Sequence, residues 1–167
     1  NVLIDTGFAY GDLYEPNLFG SAGGRGRDNV RGGNGGGILW MNVTGEIYLD
    51  GVLSASGENG LKDGSGGGSG GSIWMYCKTI KGYGKIEENG GSGSFSKSLP
   101  GGGGAGGRIA IYFQENFTSP YFVCEARGGS TCTGCSAEAG GPGTVLLYHM
   151  IYDHRTLLIN NGKQEPL

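Results

Sequence analysis

Gly67-Gly68-Ser69-Gly70-Gly71-Ser72-Ile73-Trp74-Met75-Tyr76 is the stretch that decides how this chain folds. Five residues with almost no side chain run straight into an apolar, β-prone run. The same order occurs three more times. Gly32-Gly33-Asn34-Gly35-Gly36 precedes Gly37-Ile38-Leu39-Trp40-Met41, and Gly103-Gly104-Ala105-Gly106-Gly107 precedes Arg108-Ile109-Ala110-Ile111-Tyr112. A shorter block, Gly140-Gly141-Pro142-Gly143, precedes Thr144-Val145-Leu146-Leu147-Tyr148. The first branched residues of the runs, Ile38, Ile73, Ile109 and Val145, are spaced by 35, 36 and 36 positions. A second strand-like register follows each run and ends on glycine, at Leu53–Gly57, Ile86–Gly90, Val123–Gly128 and Leu158–Gly162.

A fourfold repeat of about 35 residues, with short strands and no helical stretch, cannot bury its own apolar face; stacked units bury a continuous column. The sequence therefore predicts one all-β domain over 1–167, a glycine-rich parallel β-helix or solenoid. Its four rungs lie near 32–60, 67–90, 103–128 and 140–162, and an irregular loop or joining arm occupies 8–31. Alternation places Ile38/Trp40, Ile73/Met75, Ile109/Ile111 and Val145/Leu147 on the core face, with Ile38, Ile73, Ile109 and Val145 as the core column. Met41, Tyr76, Tyr112 and Tyr148 then form a ladder on the other face. Tyr76, Tyr112 and Tyr148 read as cross-strand packing or as a platform for sugar rings. The glycine blocks serve sharp corners, or extended layers packed backbone to backbone.

Composition narrows the function. Glycine fills 39 of 167 positions, yet the net charge is only −3, so self-repulsion does not hold the chain open. No apolar run reaches the 18 or so residues of a membrane span, no glycine triplet repeat supports collagen, and no basic field is present for nucleic acid. The glycines precede strands, the reverse of the order that phosphate-cradling loops need.

Asn42-Val43-Thr44 and Asn116-Phe117-Thr118 are acceptors for N-linked glycan in a secreted chain. Four cysteines, Cys77, Cys124, Cys132 and Cys135, suit two disulfides outside the cell, with three connectivities open. The reading favours a bridge in the loop bearing Cys132 and Cys135, with Cys124 or Cys77 in the second pair. A zinc or redox reading of Cys132-Thr133-Gly134-Cys135 lacks the other ligands or the helix it needs. Only two histidines occur, His149 and His154, with no elbow-type nucleophile beside them. The carboxylates Asp28, Glu46, Asp50, Asp63, Glu87 and Glu88 form no stack on one strand face, and Glu87-Glu88 reads as a solvated strand edge. The residues thus predict no catalytic or metal site. Calcium, at Asp28 and Asp63 in glycine loops, is the one cofactor entertained.

Tyr10-Gly11-Asp12-Leu13-Tyr14-Glu15-Pro16 with Phe19-Gly20-Ser21-Ala22-Gly23-Gly24 resembles the opening of glycine-rich solenoid modules in very large secreted or surface proteins of protists, algae and bacteria. Gly68–Trp74 and Gly106–Tyr112 are similar to the same modules, and the likeness covers residues 10–162. It implies a right-handed β-helical, extracellular, non-enzymatic surface component. The cysteine loop and the two sequons depart from it and suggest a specialised eukaryotic version. Residue 1 is Asn, so any targeting segment is removed or lies outside these residues. Asn1–Gly7 resembles Thr156–Gly162, and neither end carries a cap, which leaves strand edges to pair. The expected role is a structural extracellular glycoprotein subunit. Its partners are copies of itself or adjoining repeats, head to tail, and N-linked glycans; the alternative is an adhesin or carbohydrate-binding module using the tyrosines, with a polysaccharide lyase or hydrolase ranked behind it.

Overall fold

The computed structural model describes residues 10–95, 99–115, 122–131 and 136–162. Within them the chain is all-β, with one 3-10 turn at Arg27–Asn29. The strands are β1 (Ile38–Asn42), β2 (Glu46–Tyr48), β3 (Val52–Ser54), β4 (Ser72–Cys77), β5 (Thr79–Lys81), β6 (Lys85–Glu87), β7 (Arg108–Phe113), β8 (Val123–Glu125), β9 (Thr144–His149) and β10 (His154–Leu158). They form three separate sheets, in the orders β1-β4-β7-β9-β10, β2-β5 and β3-β6-β8. Every pairing is parallel except β9 with β10.

Inward residues of successive repeats stack in register. Ile73, Ile109 and Val145 share one column, as do Met75, Ile111 and Leu147; Leu53, Ile86 and Cys124 stack in the third sheet. These side chains make one apolar cluster. The first repeat corrects the sequence reading by one residue. Leu39, not Ile38, pairs with Ile73, while Ile38 pairs with Ser72 and lies at the surface. Trp40 is 59% exposed, and Met41 packs into the core in register with Met75. A one-residue slip exchanges the two faces of a strand. The expected register turns the Asn42 amide into an apolar core, where it lacks partners; the observed one turns Leu39, Met41 and Val43 inward.

The glycine blocks are not left-handed corners. Among the described glycines only Gly11, Gly64, Gly82 and Gly162 have positive φ in the left-handed range. The blocks run extended and bond in three directions with a period of three, the repeat of the polyproline II helix. In the second repeat, Gly67 and Gly70 donate N–H bonds to Gly102 O and Ala105 O of the next repeat (3.0 and 2.8 Å). Gly68 and Gly71 donate across to Glu58 O and Ala55 O (2.9 and 3.0 Å). Gly66 and Ser69 donate outward to Gly24 O and Ser21 O (both 2.9 Å). Three layers result: a middle layer of residues 31–37, 65–71, 101–107 and 138–143, an inner layer of 55–60, 88–94 and 126–131, and an outer layer that among the described residues holds 20–26 alone. A Cβ at Gly67 lands on Gly91 O, and one at Gly104 on Gly68 O.

Glu88 joins this slab to the core. The sequence reading put it on a solvated edge, but it is fully buried in the place that Ala126 takes one repeat on. Its Oε1 accepts the Ala55 N–H (3.1 Å) and its Oε2 the Gly71 N–H (3.0 Å). Burial pushes its carboxyl up to about 8, against the pull of those two bonds.

The far end is capped, contrary to the sequence reading. β10 folds back antiparallel along the outer edge of β9 instead of extending the third sheet. The Asn161 carboxamide replaces a backbone amide of the inner layer, accepting from Gly128 N–H (2.7 Å) and donating to Gly140 O (3.0 Å).

Two outcomes follow from this packing. Gly104→Ala puts a Cβ onto backbone and is expected to cost more than about 3 kcal/mol or to prevent folding, whereas Gly141→Ala, with nothing within 4 Å, is expected to stay within about 1 kcal/mol of the parent. Denaturant titration of both variants checks this; equal effects refute backbone contact as the reason for glycine. Glu88 holds a proton in the folded state that the unfolded chain releases above about 4.5. Its linkage therefore lowers stability as pH rises from about 4.5 to about 8, then levels off. Glu88→Gln is expected to flatten that part of the Tm–pH curve, and an unchanged slope would show another group at work.

Candidate functional site

The tyrosine ladder exists, but it is covered. Tyr76, Tyr112 and Tyr148 pair across β4, β7 and β9, with centroids 4.5 Å apart for the first pair and 5.2 Å for the second. Asn42, not Met41, stands at its foot. Alternate residues of the same face, Trp74, Ala110 and Leu146, fill the space beside it. Residues 10–19 cross this face. Leu13 packs against the cluster, Tyr112 Oη donates to Tyr14 O (2.8 Å), and Arg108 Nη1 donates to Tyr10 O (3.0 Å). Tyr112 is left 7% exposed, and burial pushes its phenol up to about 12. Tyr148 is closed from the other side, with the Arg155 guanidinium 4.5 Å over its ring and its Oη bonded to Asp153 (2.8 Å). The face that could receive a flat sugar ring is thus packed against the chain's own arm.

The remaining sequence candidates scatter. Asn42 is exposed at the end of β1, on the outer face, so a glycan there projects away from the stacking direction. Asn116, Cys132 and Cys135 lie outside the described residues. Cys77 and Cys124 are free thiols, so the bridge expected to use one of them is not formed. The register explains it: Cys77 sits in the core beneath Phe113, its Sγ 3.8 Å from Tyr112 O, while Cys124 stacks on Ile86 in another sheet. Burial pushes the Cys77 thiol up to about 11.

Glu46 pairs with Lys81 (2.6 Å) and Asp50 accepts the Tyr83 N–H (3.0 Å). Lys85 bridges Glu87 and Glu125, whose bonds raise its ammonium above the ordinary lysine value. His149 and His154 are cross-strand neighbours on β9 and β10, and His149 Nε2 lies 2.7 Å from Glu115 O. Asp28 and Asp63 occupy adjoining turns, where Arg27 N–H bonds to Asp63 O (2.9 Å). No group of three or more His, Cys, Asp or Glu side chains converges on one point among the described residues.

Sequence reasoning expected unpaired strand edges at both ends of the stack but not the cavities found there. At the first repeat, a cavity of about 570 Å³ opens among Asn34, Gly36, Leu39, Val52, Leu53 and Glu58. At the far end, a cavity of about 370 Å³ lies among Cys124, Ala126, Val145, Leu157, Leu158 and Ile159, above β8. The signal for the far one was there: only four residues separate β9 from β10, a hairpin distance.

No family model, curated protein or solved structure matches this chain.

The thiols give a direct check. Native protein at pH 8 is expected to leave Cys77 unmodified by a thiol reagent, with Cys124 reacting slowly through the cavity it lines. Both are expected to titrate once the chain is unfolded without reductant. Peptide mapping that finds either in a disulfide overturns the assignment.

Proposed function

We propose that the chain is a length of glycine-rich parallel β-solenoid with a mechanical role, a structural extracellular glycoprotein subunit. It joins copies of itself or adjoining repeats, head to tail, in a fibre, surface layer or matrix. The observation that carries this reading is the open first repeat: among the described residues no strand pairs with the outer edges of β1, β2 or β3. Around that edge Ile38, Trp40, Tyr48 and Val52 are exposed, and the cavity of about 570 Å³ leads to the core column. Unpaired edges with apolar flanks are templates for another chain. The far end supplies a complementary concavity with Leu157, Leu158 and Ile159 exposed beside it. Support for secretion comes from the sequons.

Negative-stain microscopy tests the reading. Native material is expected to form regular filaments or sheets. Ile38→Lys with Val52→Lys, which places charge on two surface residues at the open end, is expected to shorten or abolish them with an unchanged circular dichroism spectrum. Discrete particles of the unmodified protein at every concentration overturn the proposal, and binding of such particles to a glycan array supports the adhesin reading instead.

A further inference from the structure

The outer glycine layer is unfinished. Its one described segment, 20–26, lies in the groove between the first two middle-layer segments. It donates from Gly20 and Gly23 to Gly36 O and Gly33 O (both 2.9 Å) and accepts at Ser21 O and Gly24 O from Ser69 and Gly66 (both 2.9 Å). Moving up one repeat replaces Gly33 and Gly36 by Gly67 and Gly70, and Gly66 and Ser69 by Gly102 and Ala105, as the bonds from Gly33 to Gly66, Gly36 to Ser69, Gly67 to Gly102 and Gly70 to Ala105 establish. Among the described residues nothing bonds to Gly67 O, Gly70 O, Gly102 N–H or Ala105 N–H. The four groups that segment 20–26 satisfies below are presented again above it, unmet.

Side chains at the upper end of this groove repeat the pattern. Ser72 Oγ donates to Leu18 O (2.7 Å), just ahead of the docked segment. Arg108 and Thr144 occupy the same register position in the next two repeats. Arg108 Nε and Nη2 and Thr144 Oγ1 are buried with no partner among the described residues. They border a cavity of about 540 Å³ that also touches Gly70 and Ala105; a second cavity of about 420 Å³ continues along Gly67 and Gly102.

We propose that this groove is a docking site for one more extended strand, with glycine at every third residue, supplied by a partner chain and laid beside segment 20–26. The docked segment defines the chemistry. A Cβ at Gly20, Gly23 or Gly26 meets backbone of the middle layer, at Ser69 O, Gly66 O and Asp63 O, whereas Gly24 has nothing within 4 Å. A Gly-x-x-Gly-x-x-Gly strand therefore fits and a chain with side chains at those positions does not. The chain's own residues 1–9 carry glycine only at Gly7 and do not meet the pattern. The added strand lies on the flank of the stack, so the site is independent of end-to-end joining.

The test is titration of the ¹⁵N-labelled full chain with a synthetic peptide of the sequence of residues 18–26. A control peptide carries alanine at the positions of Gly20, Gly23 and Gly26. Saturable shifts at the Gly102 and Ala105 amides are expected, with slowed hydrogen exchange there. The control is expected to bind at least about tenfold more weakly. Ala105→Tyr fills the groove from an exposed position, and Gly102→Val adds a Cβ whose nearest contact is Glu138 O at 3.4 Å; each is expected to fold and to lose the shifts. Absence of shifts at millimolar peptide, equal binding of the alanine peptide, or shifts at Gly66 and Ser69 that signal exchange of the resident segment would each overturn the proposal.

Discussion

The fold depends on backbone approaching backbone without intervening side chains. Ordering glycine costs more conformational entropy than ordering any other residue, and it brings no apolar area to offset that cost. A slab of extended glycine is therefore stable only if its amides are paired and its position is held by something else. Both conditions are met. In the second repeat every N–H from Gly66 to Gly71 has a partner, in three directions. The apolar sheets supply the second condition, since Ile73, Ile109 and Val145 are spaced by the same repeat as the glycine segments that precede them. Each half sets the other's register, so neither is a linker.

Side chains return where a neighbour is missing. Gly68 and Gly104 sit above a carbonyl of the repeat below, and their counterpart in the first repeat is Asn34, beneath which no repeat lies among the described residues. Gly70 and Gly106 face carbonyls of the inner layer and donate upward. Their counterpart in the last repeat is Pro142, which has no N–H to donate. Asn34 and Pro142, the irregular members of the first and last blocks, thus mark the two ends of the slab.

The repeat, the β class and the Tyr76–Tyr112–Tyr148 ladder were legible because a period near 35 survives any local ambiguity. The register of the first repeat was not, because the glycine blocks, taken as the register mark, match Ile38 to Ile73. The pair Trp40-Met41 over Trp74-Met75 carries the true alignment, and a bulky side chain is a better register mark than a glycine that fits several layers. Glu88 was misread for a related reason. A carboxylate beside Glu87 looks solvated in one dimension, and only the stack shows that its place belongs to a small buried residue. The covering of the tyrosines was invisible because residues 10–19 follow no period, and their contacts with Tyr112 and Arg108 span 98 positions.

The two ends are unlike, and that has consequences for any assembly. At the first repeat nothing among the described residues pairs with the outer edges of the three strands or covers the middle glycine layer. At the far end β10 covers the first sheet, Pro142 stops the middle layer, and Asn161 stands in for the inner one, while the edge of β8 remains unpaired. A joint between such ends is heterologous, so a fibre built on it has a direction. Simple continuation of all the ladders cannot make that joint, since the first sheet and the middle layer no longer offer the matching donors. Among the described residues the far end stays open at the β8 edge and the apolar rim of Leu157, Leu158 and Ile159, and a joint of the kind proposed is confined to that part. The cap thus restricts end-to-end pairing to one part of the cross-section, which keeps open strand edges from pairing in any register they meet.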